Sequence, residues 1–275
     1  MLLKQMKSQM TDDTRFNFGE NWREYSHLIG KNEIVGSVER LEKLFEPITV
    51  KRKTFLDVGC GSGLHSLAAL LLGASKVHAI DLDEACAATT QSVISEQWKG
   101  SNYQTQVCDI LDKSIQLPMS DIVYSWGVLH HTGNLHQAIL NAAKFVNPNG
   151  ILVLALYGKT RYCKIWKRIK RWYCNADDHK KEKAEKAYIR LFGWYLLLRG
   201  KLLSTHIKNY STNKRGMDFY YDVRDWLGGY PYESISSREL IELLKTERFK
   251  CVKKIVKRRS GLFGSGCDEY VFKRI

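Results

Sequence analysis

The sequence predicts an α/β chain: a doubly wound, mostly parallel seven-stranded sheet that ends in an antiparallel hairpin, with a mainly helical insertion. Three observations predict it. Residues 54–83 read as strand, glycine turn, helix, strand and acid. Strand-length apolar runs then keep alternating with helical periodicity as far as residue 157. The stretch 158–235 breaks that alternation with helical spacing and dense positive charge, before one more helix and two short strands.

The length of 275 residues suffices for one such sheet domain plus an insertion. Residues 1–53 form an N-terminal arm and helix. The arm carries Phe16, Phe18, Trp22 and Tyr25 at a spacing too irregular to fix a helix. Trp22 either crosses the ligand crevice as a flap or anchors the arm to the domain. Ile34, Val38, Leu41, Leu44 and Phe45 repeat at helical spacing, and Pro47 ends that helix.

Phe55, Leu56 and Val58 make the first strand, and Gly59, Gly61 and Gly63 follow at alternate positions. Leu64, Leu67, Ala68, Leu71 and Leu72 continue as a helix that Gly73 closes. Val77 to Ile80 is the second strand, with Asp81 at its end and Leu82 next. A helix over 84–98 leads to a third strand, 103–108, and then Asp109 and Ile110. The fourth strand, 121–125, runs into Trp126 and the His130–His131 loop. A helix over 135–146 and an Asn-Pro-Asn-Gly turn precede the fifth strand, 151–157, whose unbroken apolar run predicts burial on both faces.

The insertion, 158–235, has two candidate apolar faces. One joins Tyr162, Ile165, Trp166, Ile169, Trp172 and Tyr173; the other joins Ala184, Ala187, Tyr188, Leu191, Tyr195 and Leu198. The cations between them, Lys164, Lys167, Arg168, Lys170 and Arg171, read as a solvated face. Residues 158–215 hold seventeen Lys/Arg and four Asp/Glu, so nearly all of the net charge of +14 sits there. Residues 215–233 mix acids with aromatic rings and a Gly-Gly-Tyr-Pro turn. The remainder, 236–275, supplies a helix near 236–246 and strands 249–257 and 269–272, joined by a Gly-rich hairpin loop over 260–266.

Asp57-x-Gly59-x-Gly61-x-Gly63, followed by Asp81, resembles the first motifs of the class I S-adenosylmethionine (SAM) methyltransferases, which have a Rossmann-like core. A dinucleotide fingerprint fits less well, because Leu64 stands where its third glycine belongs. The carboxylate of Asp57 would repel a phosphate and suits the cationic amino-acid end of SAM. Residues 121–131 and the Pro148-Asn149-Gly150 turn resemble later motifs of the small-molecule branch, so the likeness spans 54–157. The insertion segment 215–233 resembles uncharacterised methyltransferases linked to glycan assembly.

The resemblance implies SAM as cofactor, held by Asp57, Gly59, Cys60, Gly61, Gly63, Asp81, Leu82, Asp109, Ile110, Ser125 and Trp126, with Trp22 closing over it. Asp81 would take the ribose hydroxyls and Asp109 the adenine amino group. His131 is the candidate general base, since a hydroxyl acceptor needs a proton acceptor; the alternative is that His130 or His131 only holds the loop. Tyr157, Arg161, Asp218 and Asp222 are candidate substrate contacts.

The implied activity is methyl transfer to oxygen or nitrogen of a small molecule or a sugar or glycan precursor, with the basic insertion favouring an anionic acceptor. Two other classes stay open. An RNA or tRNA methyltransferase would use the basic insertion to grip phosphates. A noncatalytic SAM-binding or membrane-surface protein would lay it on anionic lipid. The seven scattered cysteines include no C-x-x-C pair, which argues against zinc. Their odd count, a polar N-terminus and the lack of a long apolar run fit a reducing cytoplasm. Oligomeric state is not fixed by any of these features.

Overall fold

The computed structural model describes residues 15–210, 218–256, 263 and 266–275. The start of the 215–233 segment and most of the Gly-rich loop lie outside the described residues. Ten α-helices, one 3-10 turn (Leu129–His131) and seven strands are defined among the described residues, the helices and strands in the order α1 (Phe18–Ser26), α2 (Lys31–Phe45), β1 (Thr54–Val58), α3 (Leu64–Leu71), β2 (Lys76–Asp81), α4 (Glu84–Gln97), β3 (Tyr103–Val107), β4 (Ser120–Trp126), α5 (Leu135–Lys144), β5 (Val146–Tyr157), α6 (Cys163–Cys174), α7 (Asp178–Leu197), α8 (Leu203–Lys208), α9 (Phe219–Gly228), α10 (Ser237–Thr246), β6 (Phe249–Ile255) and β7 (Cys267–Arg274).

The strands form one sheet in the order β3-β2-β1-β4-β5-β7-β6. β1 to β5 pair in parallel, and β7 runs antiparallel between β5 and β6. The order reverses beside β1, where Phe55 pairs with Ile122 on one side and Val77 on the other. A crevice opens at the strand carboxyl ends there, as it does in doubly wound sheets.

Alternate residues of each strand feed opposite faces. Leu56, Val58, Val123, Leu152, Leu154 and Phe272 pack against Leu135, Ala138, Ile139 and Ala142 of α5 and Leu240 and Leu244 of α10. Phe55, Val77, Ile122, Tyr124, Val153 and Val271 pack against α2, α3 and α4. Each fully buried aliphatic side chain contributes about 1.5–3 kcal/mol, so these two layers carry the sheet. α10 starts with a capping box, in which Ser236 accepts from the Glu239 N–H and the Glu239 carboxylate accepts from the Ser236 N–H.

Four departures from the sequence reading stand out. Three of the N-terminal aromatics, Phe18, Trp22 and Tyr25, do lie in a helix, α1, whose cap is the Asn17 side chain accepting from the Glu20 N–H. β5 begins at Val146, upstream of the Pro-Asn-Gly turn, with an irregular register against β4 between Ser120 and Ile122. Leu191 and Leu198, assigned to an inward apolar face, are exposed, as are Ile165 and Trp172. Lys170, assigned to a solvated face, is fully buried.

The helices between β5 and α10 enclose a third apolar cluster. Trp166 and Tyr173 of α6 meet Phe219, Val223 and Leu227 of α9, with Tyr157, Tyr210 and Tyr232 alongside. α9 is capped by Asp218, whose carboxylate accepts from the Tyr220 and Tyr221 N–H groups at 2.8 and 3.2 Å.

Candidate active site

The crevice starts at the glycine turn after β1. Gly59, Gly61 and Gly63 have φ of +82°, +54° and +77°, a region that side chains rarely adopt. The Gly59 and Cys60 N–H groups donate to the Ile80 carbonyl at 2.8 and 3.0 Å, which ties the turn to the end of β2. A Cβ on Gly59 would lie 2.4 Å from the Val128 side chain, so the turn runs directly beneath the loop after β4.

Asp81 braces the same turn. Its carboxylate accepts from the Gly61 N–H at 3.0 Å and the Asp83 N–H at 3.1 Å, one on each oxygen. Burial pushes its pKa up, opposed by these N–H bonds. One strand further out, Asp109 accepts from the Leu111 N–H at 2.8 Å, and Asn141 holds the Ile110 carbonyl at 2.8 Å. Asp109, Ile110 and the exposed Leu82 line the crevice.

α1 covers this end. The Gly19 N–H donates to Asp83 at 3.0 Å, and the Trp22 indole lies 3.4 Å from where a Cβ on Gly61 would stand. Trp22 lies over the glycine turn and lines the crevice, while the bond of Gly19 to Asp83 ties the arm to the domain.

The other wall is the loop after β4. Nδ1 of His131 lies 2.7 Å from the Pro231 carbonyl oxygen. A carbonyl only accepts, so Nδ1 carries the proton and Nε2 is the basic nitrogen. Gly229 packs against the ring, with a Cβ there reaching 2.6 Å from Cε1. Burial, then the positive charge of Lys170, lowers the His131 pKa to about 3, so the imidazole is neutral at neutral pH. His130 lies fully buried behind it, its ring 3.8 Å from that of Tyr157, and accepts from the Tyr157 N–H through Nδ1 at 3.3 Å. Burial, then the neighbouring His131 and Lys170, pushes its pKa far down.

The Gly-Gly-Tyr-Pro turn holds this loop. Besides the Pro231 bond, the Glu233 N–H donates to the His130 carbonyl at 3.0 Å. The Glu233 carboxylate accepts from the Leu135 N–H at 2.9 Å, at the start of α5. Sequence reasoning placed this segment but not its contact with the histidines, because the clamp is made by backbone atoms.

The crevice has a volume of about 1640 Å³, and the inserted helices line it together with the glycine turn, forming a chamber at their end. Its walls there are mostly aromatic: Tyr157, Tyr188, Phe192, Tyr195, Phe219 and Trp226. Trp226 Nε1 and His130 Nε2 are buried without a hydrogen-bond partner among the described residues. Periodicity marked Tyr188 and Tyr195 as inward-facing but could not assign them to a cavity. Arg199 and Lys201 also line it.

Of the residues singled out in sequence, Gly59, Cys60, Gly61, Asp81, Leu82, Asp109, Ile110, Trp126, Trp22, His131, Tyr157 and Asp222 line this crevice. Five do not. Asp57 is 2% exposed and lies below the floor, accepting from Ser66 Oγ at 2.6 Å. Burial raises its pKa to about 7, with the Ser66 bond opposing and Asp81 adding to the rise. Ser125 is buried and donates to the Val58 carbonyl at 2.8 Å. Gly63 is taken up as the left-handed cap of α3, packed on Thr90. Arg161 is exposed and bonds Tyr162 at 2.7 Å, and Asp218 is spent capping α9. Strand-end position alone cannot tell a carboxylate on the floor from one beneath it.

The residues present fit an adenosyl ligand. Gly59 and Gly61 bring bare backbone to the crevice wall, Asp81 offers paired acceptor oxygens, and the Asp109–Ile110 edge lines the same crevice. Among the described residues no group of three or more His, Cys, Asp or Glu side chains could hold a metal.

Comparison with known proteins agrees with this layout. Residues 56–152 match the family model described as a methyltransferase domain. The ubiquinone biosynthesis O-methyltransferase of Coxiella burnetii (strain RSA 493 / Nine Mile phase I) is 35% identical over 113 residues, 41% of this chain and 47% of that protein. Its counterpart in Rickettsia akari (strain Hartford) is 30% identical over 128 residues, 44% of this chain and 49% of that protein. The chain thus spans about half the length of the curated relatives it matches. Among solved structures, magnesium protoporphyrin IX methyltransferase from Synechocystis PCC 6803 with bound SAH superposes with a TM-score of 0.53 at 14% identity, covering 88% of this chain and 84% of that one. PKMT2 from Rickettsia typhi in complex with AdoHcy gives 0.58 at 14% identity, covering 87% and 52%. At that identity these two share the fold. The glycine turn, the Asp81 and Asp109 strand ends and the matched stretch together make residues 56–152 a class I SAM-dependent methyltransferase domain.

Proposed function

We propose that this chain transfers a methyl group from SAM to an oxygen of a small molecule with an aromatic or apolar body. The observation that carries the proposal is that one crevice is lined by the glycine turn and Asp81, by the aromatic rings of the inserted helices, and by His131. SAM supplies the electrophilic methyl group, so the protein has to position the acceptor and accept its proton. Asp81, Asp109 and the turn backbone would hold the adenosyl part; Gly59 and Gly61 admit it closely. The rings of Tyr188, Phe192 and Trp226 would hold a flat or apolar acceptor body by area burial and stacking.

His131 is proposed as the general base. Its ring is held by the backbone of Pro231 and Gly229, and Nε2 is the nitrogen proposed to receive a hydroxyl proton. Burial and then Lys170 disfavour the imidazolium, which keeps the ring neutral but weakens it as a base, so the proton it takes must be passed on quickly. The exposed charges Lys167, Arg168 and Arg171 do not line the chamber, whereas Arg199 and Lys201 do. An anionic substituent on the acceptor therefore fits at Arg199 and Lys201. The names of the curated relatives support oxygen as the methylated atom. The inserted helices, 158–235, are proposed as the acceptor-selecting part.

The test is incubation with methyl-labelled SAM and, in parallel, a hydroxylated arene and a nucleotide-sugar. Label on the arene oxygen is expected. Label only on the sugar would overturn the acceptor class, and lack of SAM binding would overturn the activity.

A further inference from the structure

The last turns of α7 and the link to α8 present an apolar surface that the fold leaves open. Leu191, Trp194, Leu197 and Leu198 are 58%, 63%, 56% and 86% exposed, and Leu202 follows at 61%. At 3.6 residues per turn, positions 191, 194 and 198 share one side of α7. The adjoining side, roughly a quarter-turn round the helix, with Tyr188, Phe192 and Tyr195, lines the chamber. One helix therefore shows apolar side chains both inward and outward, whereas a surface helix normally keeps one polar side.

The charge around the outward surface has a single sign. From residue 186 to 217 the sequence has seven Lys/Arg and no Asp/Glu. Arg190 lies next to Leu191, and Arg199, Lys201 and Lys208 follow beyond Leu198, all exposed. Among the described residues no helix is long and apolar enough to cross a membrane. Leucines with a tryptophan, ringed by arginine and lysine, suit a helix lying in a bilayer interface: the apolar tips enter the acyl boundary and the cations meet lipid phosphates. Association of two copies through this surface would bring like charges together with no acid to offset them. Nucleic acid would use the cations but would not bury the leucines.

We propose that the α7–α8 elbow docks on a bilayer surface containing anionic phospholipid, through Leu191, Trp194 and Leu198 with Arg190 and Lys208 at the headgroups. Docking does not depend on methyl transfer. It places the outer side of α7 in lipid while the inner side faces the chamber, which gives a bilayer-dissolved molecule a short path inward.

The experiment is co-sedimentation of the full chain with phosphatidylcholine vesicles, with and without phosphatidylglycerol. Binding that needs phosphatidylglycerol and weakens with salt is expected. Leu191→Ser/Trp194→Ser/Leu198→Ser should weaken it by roughly tenfold or more, with SAM affinity unchanged by calorimetry. Arg190→Glu/Lys208→Glu should weaken it on the anionic vesicles. Quenching of indole fluorescence by brominated lipid, reduced in Trp194→Phe, reads the same contact without disturbing the packing. Failure of the wild-type chain to bind anionic vesicles would overturn the proposal, as would equal binding by the triple-serine variant. Self-association abolished by that variant, without vesicle binding, would assign the surface to a second copy. RNA binding indifferent to it would assign the charges to nucleic acid.

Discussion

The Lys170 ammonium donates to the Trp226 carbonyl and lies 4.0 Å from the centroid of the Trp226 ring. Tyr157 and Tyr232 flank the same ammonium, with centroids at 5.5 and 5.4 Å. A fully buried lysine in an aromatic box links α6 to the end of α9, from which the chain turns to Gly229 and Pro231 against His131. Desolvated cation–π contacts of this type contribute about 2 kcal/mol. Burial lowers the Lys170 pKa to about 7, opposed by Asp225, Cys174, Cys267 and Asp222. His130 and His131 also pack on Tyr157, and both feel the same charge.

This arrangement predicts a pH-dependent stability difference. Between about pH 7 and 10.5 the unfolded chain holds the lysine proton and the folded chain releases it, so Lys170 favours folding increasingly as pH rises through that window. Lys170→Met removes this dependence. Melting temperatures of variant and wild type should diverge in favour of methionine as pH falls from the top of that window to its bottom. A constant difference would contradict the lowered pKa.

His131→Ala should lower the methylation rate by about 10²–10⁴-fold, while calorimetry shows SAM affinity nearly unchanged. With a folded pKa of about 3, the wild-type rate should show no inflection from His131 near its usual 6.5. Lys170→Met removes a positive neighbour and should move the acid limb of the kcat/KM profile upward. A rate close to wild type in His131→Ala would leave the ring with only its hold on Pro231.

Gly229→Ala tests the same loop without touching a titrating group. The new methyl would lie 2.6 Å from His131 Cε1 and 3.1 Å from the Asp225 carbonyl oxygen. The ring must shift, so kcat should fall while the SAM dissociation constant holds. Equal loss of both would indicate wider damage.

Gly59→Ala should abolish SAM binding and lower the melting temperature. The substitution meets a positive φ and a contact of 2.4 Å with Val128 together. Adding Val128→Ala should recover part of the stability but not the cofactor affinity, because the backbone strain persists. Unaltered calorimetric binding in Gly59→Ala would place the cofactor elsewhere.

Asp57→Asn separates the carboxylate beneath the floor from those on the walls. Its pKa is raised from 3.8 to about 7, so the folded chain holds a proton that the unfolded chain releases between these values, and stability falls as pH rises across them. Asparagine should make the protein relatively more stable at pH 8 than at pH 4. A pH-independent melting difference would mean that the carboxylate is charged at low cost where it lies.

The sheet was legible in the sequence because its strands are short apolar runs cut by glycine and proline, and Asp81 and Asp109 stand where β2 and β3 end. Lys170 was not, because a lysine among lysines looks solvated. The trace was there: Trp166, Lys170 and Tyr173 share a face at i, i+4 and i+7, and the two aromatics on that face are buried. Leu191 and Leu198 misled in the other direction, since apolar spacing shows which residues share a side but not whether anything covers it. The hold on His131 was invisible because its partner, the Pro231 carbonyl, has no side-chain signature.

Glu269, in the last strand, accepts from both Arg40 of α2 and Trp126 Nε1, the latter at 2.9 Å. Both donors line the crevice. The two are synthesised more than a hundred residues before their acceptor. On the ribosome, β1 to β4 can pair early, but this wall cannot close until Glu269 has emerged and β7 has slotted between β5 and β6. A nascent chain should therefore become competent to hold its cofactor only at the very end of translation, and a stalled chain ending before residue 267 should present an unfinished wall, with an indole N–H and a guanidinium left to water.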